Sequence, residues 1–141
     1  MSDERLWAPW RLDYVTGAEA TPPDPPPQPV AWFDGADEKC FLCRAAATYA
    51  DAALAERRLL VAGVGRHTLV VLNRYPYNNG HLMVAPRRHV GEFAELADDE
   101  HLEAMEWLAR LMGGFDERLR PDGYNVGVNF GRVAGAGGPG E

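Results

Sequence analysis

The sequence predicts an α+β domain in which an antiparallel meander sheet packs with one long and one short helix. Three observations carry this. Short apolar runs at Leu59–Ala62, Thr68–Asn73 and His81–Ala85 follow one another, with turns rich in glycine, proline and asparagine between them. A single long stretch from Asp98 to Phe115 repeats apolar residues at three- and four-residue spacing. A late segment, Tyr124 to Phe130, alternates apolar and small polar residues with period two. Strands that follow strands, rather than alternating with helices, argue against a βαβ repeat and a parallel sheet.

The length of 141 residues suits one domain, and a hydrophobic content of 46% is enough for a real core. The net charge of −7 argues against nucleic-acid or anionic-membrane binding, which needs a basic face. No apolar run approaches the roughly 18 residues of a spanning helix. The acidic, tryptophan-bearing N-terminus is not a secretion signal, so a cytoplasmic location is expected.

Two regions are expected. Residues 1–39 read as an N-terminal arm with a proline-rich linker, and 40–141 as the domain proper. The arm carries Leu6, Trp7, Trp10, Leu12, Tyr14 and Val15, which must dock on this domain or on a second subunit. Pro22, Pro23, Pro25, Pro26, Pro27 and Pro29 can enter neither a ladder nor a helix, so that stretch is extended.

Residues 41–57 read as the short helix, alanine-rich with Arg57 and Arg58 near its end. Leu59–Ala62 and Thr68–Asn73 read as antiparallel strands joined by a tight turn at Gly63 and Gly65. Pro86 ends the third strand, since proline donates no ladder bond. Asp98, Asp99 and Glu100 suit a helix start. Leu102, Met105, Leu108, Leu111, Met112 and Phe115 form its apolar stripe, with the methionines as core fillers, and Gly113-Gly114 ends or bends it. In Tyr124–Phe130, Asn125, Gly127 and Asn129 share the face a ligand would approach.

Three constellations have the right chemistry for a site. Cys40-x-x-Cys43 offers two soft ligands at zinc spacing, with His89 as a third; structural thiols and a redox pair are the alternatives. Asn73 ends an apolar strand, where its amide can bond a sugar hydroxyl pair or start a turn into Pro76. His81 opens the next strand, where it can orient another group or be a satisfied core histidine. Two weaker signals are the basic cluster Arg87-Arg88-His89 and the glycines from Gly131 to Gly140, bordered by Asn129 and Arg132. Either can meet a phosphate, although nothing here is a P-loop.

These pieces stand in the order of the histidine triad (HIT) family, which the sequence resembles from Cys40 to Glu141. Leu72-Asn73-Arg74 with Gly80-His81-Leu82-Met83-Val84-Ala85-Pro86 carries the resemblance, as does Tyr124-Asn125-Val126-Gly127-Val128-Asn129-Phe130-Gly131. Leu6-Trp7-Ala8-Pro9-Trp10-Arg11 looks like the opening of a bacterial branch related to diadenosine polyphosphate phosphorylases and hydrolases. The resemblance implies a ribose contact at Asn73, a supporting role for His81 beside the triad, and Asn129 near the α-phosphate. It implies a base pocket lined by Leu72 and Leu82, and zinc held by Cys40, Cys43 and His89. The ligand implied is a purine nucleotide or dinucleoside polyphosphate, and the assembly a homodimer.

The family reaction is cleavage at the α-phosphate through a nucleotidyl-histidine. Its His-x-His-x-His strand would follow the glycine run, and this sequence stops at Glu141. The expectation is therefore a domain whose last strand, nucleophile and fourth zinc ligand are missing, inactive as it stands. The alternatives are a nucleotide-binding module without a triad and a zinc-stabilised interaction domain.

Overall fold

A computed structural model describes residues 25–74, 76, 78–129 and 131. The arm residues Leu6, Trp7, Trp10, Leu12, Tyr14 and Val15 lie outside the described residues, as do Phe130 and the glycine run from Arg132 onward.

The single short helix expected over 41–57 is two helices, α1 (Phe41–Ala46) and α2 (Ala52–Leu59). The break comes from a backbone pairing upstream. Thr48 N donates to Ala31 O at 2.8 Å, and Val30 N donates to Thr48 O at 2.8 Å. These bonds take groups that a continuous helix would have used internally. Asp51 then restarts the helix as N-cap, its carboxylate accepting from Leu54 N at 2.9 Å. Leu60, left-handed at φ 60°, turns the chain out of α2 and into the sheet.

The sheet is antiparallel, in the order β1 (Val61–Val64), β2 (Thr68–Leu72), β3 (Leu82–Pro86). β1 starts later than expected and Gly63 lies inside it; the turn is formed by residues 65–68, with Gly65 N donating to Thr68 O at 2.8 Å. A bulge at Ala62 shifts the register, since Val61 faces Val71 while Gly63 faces Val70. Gly63 is required by packing. A Cβ there would sit 2.7 Å from the Trp107 ring.

β2 is central and covered on both faces, so Leu69 and Val70 are only 0% and 1% exposed. On one face Leu69, Val71 and Ala85 pack with Ala45 and Ala46 of α1. The other face is covered by α3 (Asp98–Arg118), which reaches it through Glu103 and Trp107.

α3 differs from the sequence reading in two ways. It runs through Gly113-Gly114 to Arg118, and Leu102 and Met105 are 60% and 61% exposed instead of buried. Polar partners set its rotation. Glu100 and Glu103 take the inward positions of the early turns because Arg88 and the 66–68 turn bind them there. Trp107, Leu108, Leu111 and Phe115 continue that inward line, half-buried. The helix end is clasped by Tyr124, whose ring stacks on Phe115 and whose hydroxyl donates to Asp116 Oδ1 at 2.7 Å.

Of the expected fourth strand at Tyr124–Phe130, residues 124–129 pair into no ladder among the described residues, and Val126 and Val128 are 56% and 57% exposed. Topology explains this. α3 runs antiparallel to β3, with Glu100 bonded to Arg88 at one end and Phe115 beside Gly80 at the other. A segment leaving α3 and returning along the sheet therefore travels in the direction of β3. Directly beside β3 it would have to pair in parallel; an antiparallel meander needs another strand between them.

Candidate functional site

The hairpin of β2 and β3 positions Asn73 and His81. Asn73 N donates to His81 O at 3.1 Å, and Asn73 Nδ2 lies 3.4 Å from His81 Nε2. With the amide nitrogen donating, Nε2 accepts and the ring proton sits on Nδ1. Two polar side chains eight residues apart in sequence thus converge at one end of the sheet. The turn that joins them is set by Gly80 at φ 83°, backbone that favours glycine, and by His81 N donating to Asn78 O at 3.1 Å.

Leu72 and Leu82 pair with each other directly across the ladder. Period-two alternation puts them on the opposite face of the sheet from Asn73 and His81. Val71 and Met83 share the face of Asn73 and His81, toward α1. A base lying on that face would meet Val71 and Met83 rather than the two leucines. Asn129 lies in the exposed run after α3, outside any ladder of the described residues. A cleft of about 200 Å³ opens between α1, α2 and β1, lined by alanines of both helices together with Tyr49, Glu56, Leu59 and Arg87, and without Asn73 or His81. It is small for a nucleotide, since ligand pockets run to about 300 Å³ and more.

The second grouping is Cys40, Cys43 and His89. Their ligand atoms all lie within 4.8 Å of one another, and Cys43 Sγ is 3.2 Å from His89 Nδ1. Both cysteines are buried and neither is in a disulfide; His89 is exposed. Cys40 directly precedes α1 and Cys43 lies in its first turn, so both sulfurs face the loop after β3. Tetrahedral zinc with bonds of 2.0–2.3 Å needs ligand atoms roughly 3.3–3.8 Å apart. Two soft thiols and an imidazole gathered within 4.8 Å are a donor set that could hold a metal ion once drawn to those distances.

Arg87 and Arg88 do not form a phosphate cluster with His89, because both guanidinium groups are engaged by the protein. Arg87 Nη1 donates to Gly65 O at 3.2 Å, and its guanidinium carbon lies 4.9 Å from the Phe33 ring centroid. Arg88 makes a two-pronged pair with Glu100, Nε to Oε1 at 2.6 Å and Nη2 to Oε2 at 3.0 Å. The Arg88 hydrogen bond is the main reason the Glu100 carboxyl is held below its ordinary value. The sequence marks Glu100 only as a dipole signal at a helix start and gives no sign of Glu103; neither is legible as a structural anchor, because their partners lie far away in sequence.

Comparison with known proteins agrees with this arrangement. The HIT domain family model matches residues 61–137. The chain is 34% identical over 133 residues to an AP-4-A phosphorylase of Mycobacterium tuberculosis, covering 94% of this chain and 60% of that protein. It is 38% identical over 69 residues to an uncharacterised HIT-like protein of Methanocaldococcus jannaschii, covering 49% of this chain and 53% of that one. A HIT-like protein of Mycoplasma pneumoniae is 36% identical over 74 residues, covering 52% of this chain and 51% of that one. The chain thus spans between half and two thirds of the length of these relatives. The matched region contains the Asn73–His81 hairpin, β1 to β3 and α3, and by that match the chain belongs to the HIT domain family.

Proposed function

We propose that this chain binds a purine nucleotide or dinucleoside polyphosphate at the Asn73–His81 end of its hairpin, as part of a nucleotidyl hydrolase or transferase acting at the α-phosphate. The observation that carries the reading is the convergence of Asn73 and His81 at 3.4 Å inside the matched region. Asn73 would bond the ribose hydroxyls. His81 would support the reacting histidine, and Asn129 would approach the α-phosphate. Leu72 and Leu82, expected to line the base pocket, alternate to the face opposite Asn73 and His81, and we assign the base to Val71 and Met83 in their place. The AP-4-A phosphorylase relative supports dinucleoside polyphosphates as the substrate class.

The reaction in this reading has two displacements. A histidine nitrogen attacks the α-phosphorus and the bridging P–O bond breaks, releasing the rest of the substrate. Water or inorganic phosphate then breaks the P–N bond. The four histidines of this sequence, His67, His81, His89 and His101, include no His-x-His-x-His. We therefore assign binding to these residues and cleavage to a protein that also carries the triad. The test is titration of the 141-residue chain with AMP and diadenosine tetraphosphate, followed by hydrolysis assays of a triad-bearing form. Saturable binding without cleavage by the former and nucleotide release by the latter are expected. Absence of binding at millimolar ligand sinks the reading.

We further infer that Cys40, Cys43 and His89 hold zinc in a structural role, leaving one position for a fourth donor. A bound ion would tie α1 to the loop after β3. Elemental analysis should give one zinc per chain; a reversible Cys40–Cys43 disulfide with no metal would favour the redox alternative. The same reading places the protein in the reducing cytoplasm as a homodimer, which sedimentation of the purified protein checks. Among the described residues no helix is long and apolar enough to cross a membrane.

A further inference from the structure

His89 is exposed and sits three residues past the end of β3. An exposed imidazole on a loop has many orientations open to it, yet its Nδ1 lies 3.2 Å from Cys43 Sγ. Its chain neighbours restrict it. Arg88 is forked onto Glu100 at 2.6 and 3.0 Å, and its Nη2 also donates to Glu95 O at 2.6 Å. A planar guanidinium gripping a carboxylate at two points fixes direction as well as distance. Glu100 is itself fixed: it is 6% exposed, and its Oε2 accepts from Ala97 N at 2.8 Å, just ahead of α3. On the other side Arg87 N donates to His67 O at 2.8 Å. Residues 87 and 88 are thus held by two different elements, and residue 89 leaves them on a defined path toward α1.

We propose that Arg88 and Glu100 are positioning residues of the metal centre, transmitting the placement of the first turn of α3 to His89. The inference rests on the metal reading of Cys40, Cys43 and His89. Two-site linkage makes it reciprocal: a metal held by His89 strengthens the first turn of α3 as much as that turn strengthens metal binding. Glu103 is the internal control. It lies one turn further along the same helix and is as richly hydrogen-bonded, but to the 66–68 turn.

The test is cobalt titration of the purified chain, followed through the thiolate–metal absorption band, with zinc affinity from competition against a chromophoric chelator. Arg88→Met, Arg88→Lys, Glu100→Gln and Glu103→Gln are compared with the parent, each with its metal-free melting curve. Arg88→Met and Glu100→Gln should weaken metal binding about 10- to 100-fold, while Glu103→Gln lowers the metal-free melting temperature and changes metal affinity by less than about threefold. Arg88→Lys, which keeps the charge and loses the fork, should fall between. Metal should slow amide exchange at His101 in the parent and not in Glu100→Gln.

Parent-like metal affinity in Arg88→Met and Glu100→Gln overturns the proposal. So does an equal loss in Glu103→Gln, since that would be general destabilisation. Should Arg88→Met not fold, Arg88→Lys and Glu100→Gln decide the matter. A parent chain with no thiolate–cobalt band overturns the metal centre and the positioning role together; a band that the variants leave intact overturns the positioning role alone.

Discussion

Glu103 Oε2 accepts from both the backbone N–H and the hydroxyl of Thr68, at 2.6 and 2.5 Å. The same carboxylate takes the N–H groups of Arg66 and His67, each at 2.8 Å. One side chain of α3 thereby satisfies three successive backbone donors of the β1–β2 turn. Burial by itself pushes the Glu103 carboxyl up, but the Thr68 hydroxyl and the three N–H groups outweigh it and hold it down at about 2.

That depression makes stability depend on acid. The carboxylate contributes fully above its ordinary value of 4.5, and the contribution is lost as pH falls toward about 2. Glu103→Gln should cost about 1–3 kcal/mol at neutral pH, from hydrogen bonds to a charged acceptor. It should also flatten the loss of stability across that acid window. Denaturant melts at several pH values check this; an unchanged acid slope in the variant contradicts it.

Leu69 is fully buried in the central strand and Leu102 is 60% exposed on α3. Leu69→Ala should cost about 2–5 kcal/mol. Leu102→Ala should stay within about 0.5 kcal/mol in the isolated chain. Equal losses in urea melts would mean that α3 is rotated differently from the arrangement described.

Gly63 has no room for a Cβ against Trp107. Gly63→Ala should cost about 1–3 kcal/mol by overpacking. Adding Trp107→Leu should recover part of that loss, because the two changes meet at one contact. Strict additivity of the two variants in thermal melts would show that the ring does not press on β1.

Asn73→Ala should weaken AMP binding about tenfold, the worth of a hydrogen bond or two to the ribose. Isothermal titration reads this directly. Leu72→Ala, on the opposite face, should weaken it less. The reverse order would place the base on the α3 side of the sheet.

Much of the domain was legible in the residues themselves. Alternation and turn chemistry marked β2 and β3, because Asn-Asn-Gly and Pro86 act locally on the backbone. The pairing of Asn73 with His81 could be anticipated from hairpin register. The residues offer His89 as a third ligand beside Cys40 and Cys43 only as one reading among three, because 46 residues separate the second cysteine from the histidine, and the family resemblance singles that reading out. In α3 the periodicity revealed a helix but not which face turns inward.

The class of the fold, the order of its strands, the hairpin that brings Asn73 to His81, and the residue types of the metal cluster are all legible in the residues. All of these follow from local backbone preference or from motif. The break between α1 and α2, the rotation of α3 and the fate of Arg87 and Arg88 emerge only when the chain is folded. So does the finding that residues 124–129 carry a strand pattern without a ladder among the described residues. The first three depend on partners distant in sequence: Ala31 for Thr48, Arg88 for Glu100, the 66–68 turn for Glu103, and Phe33 for Arg87. A polar group or strand edge reports in its own sequence that it needs a partner, and the identity of that partner is set by where the folded chain brings it.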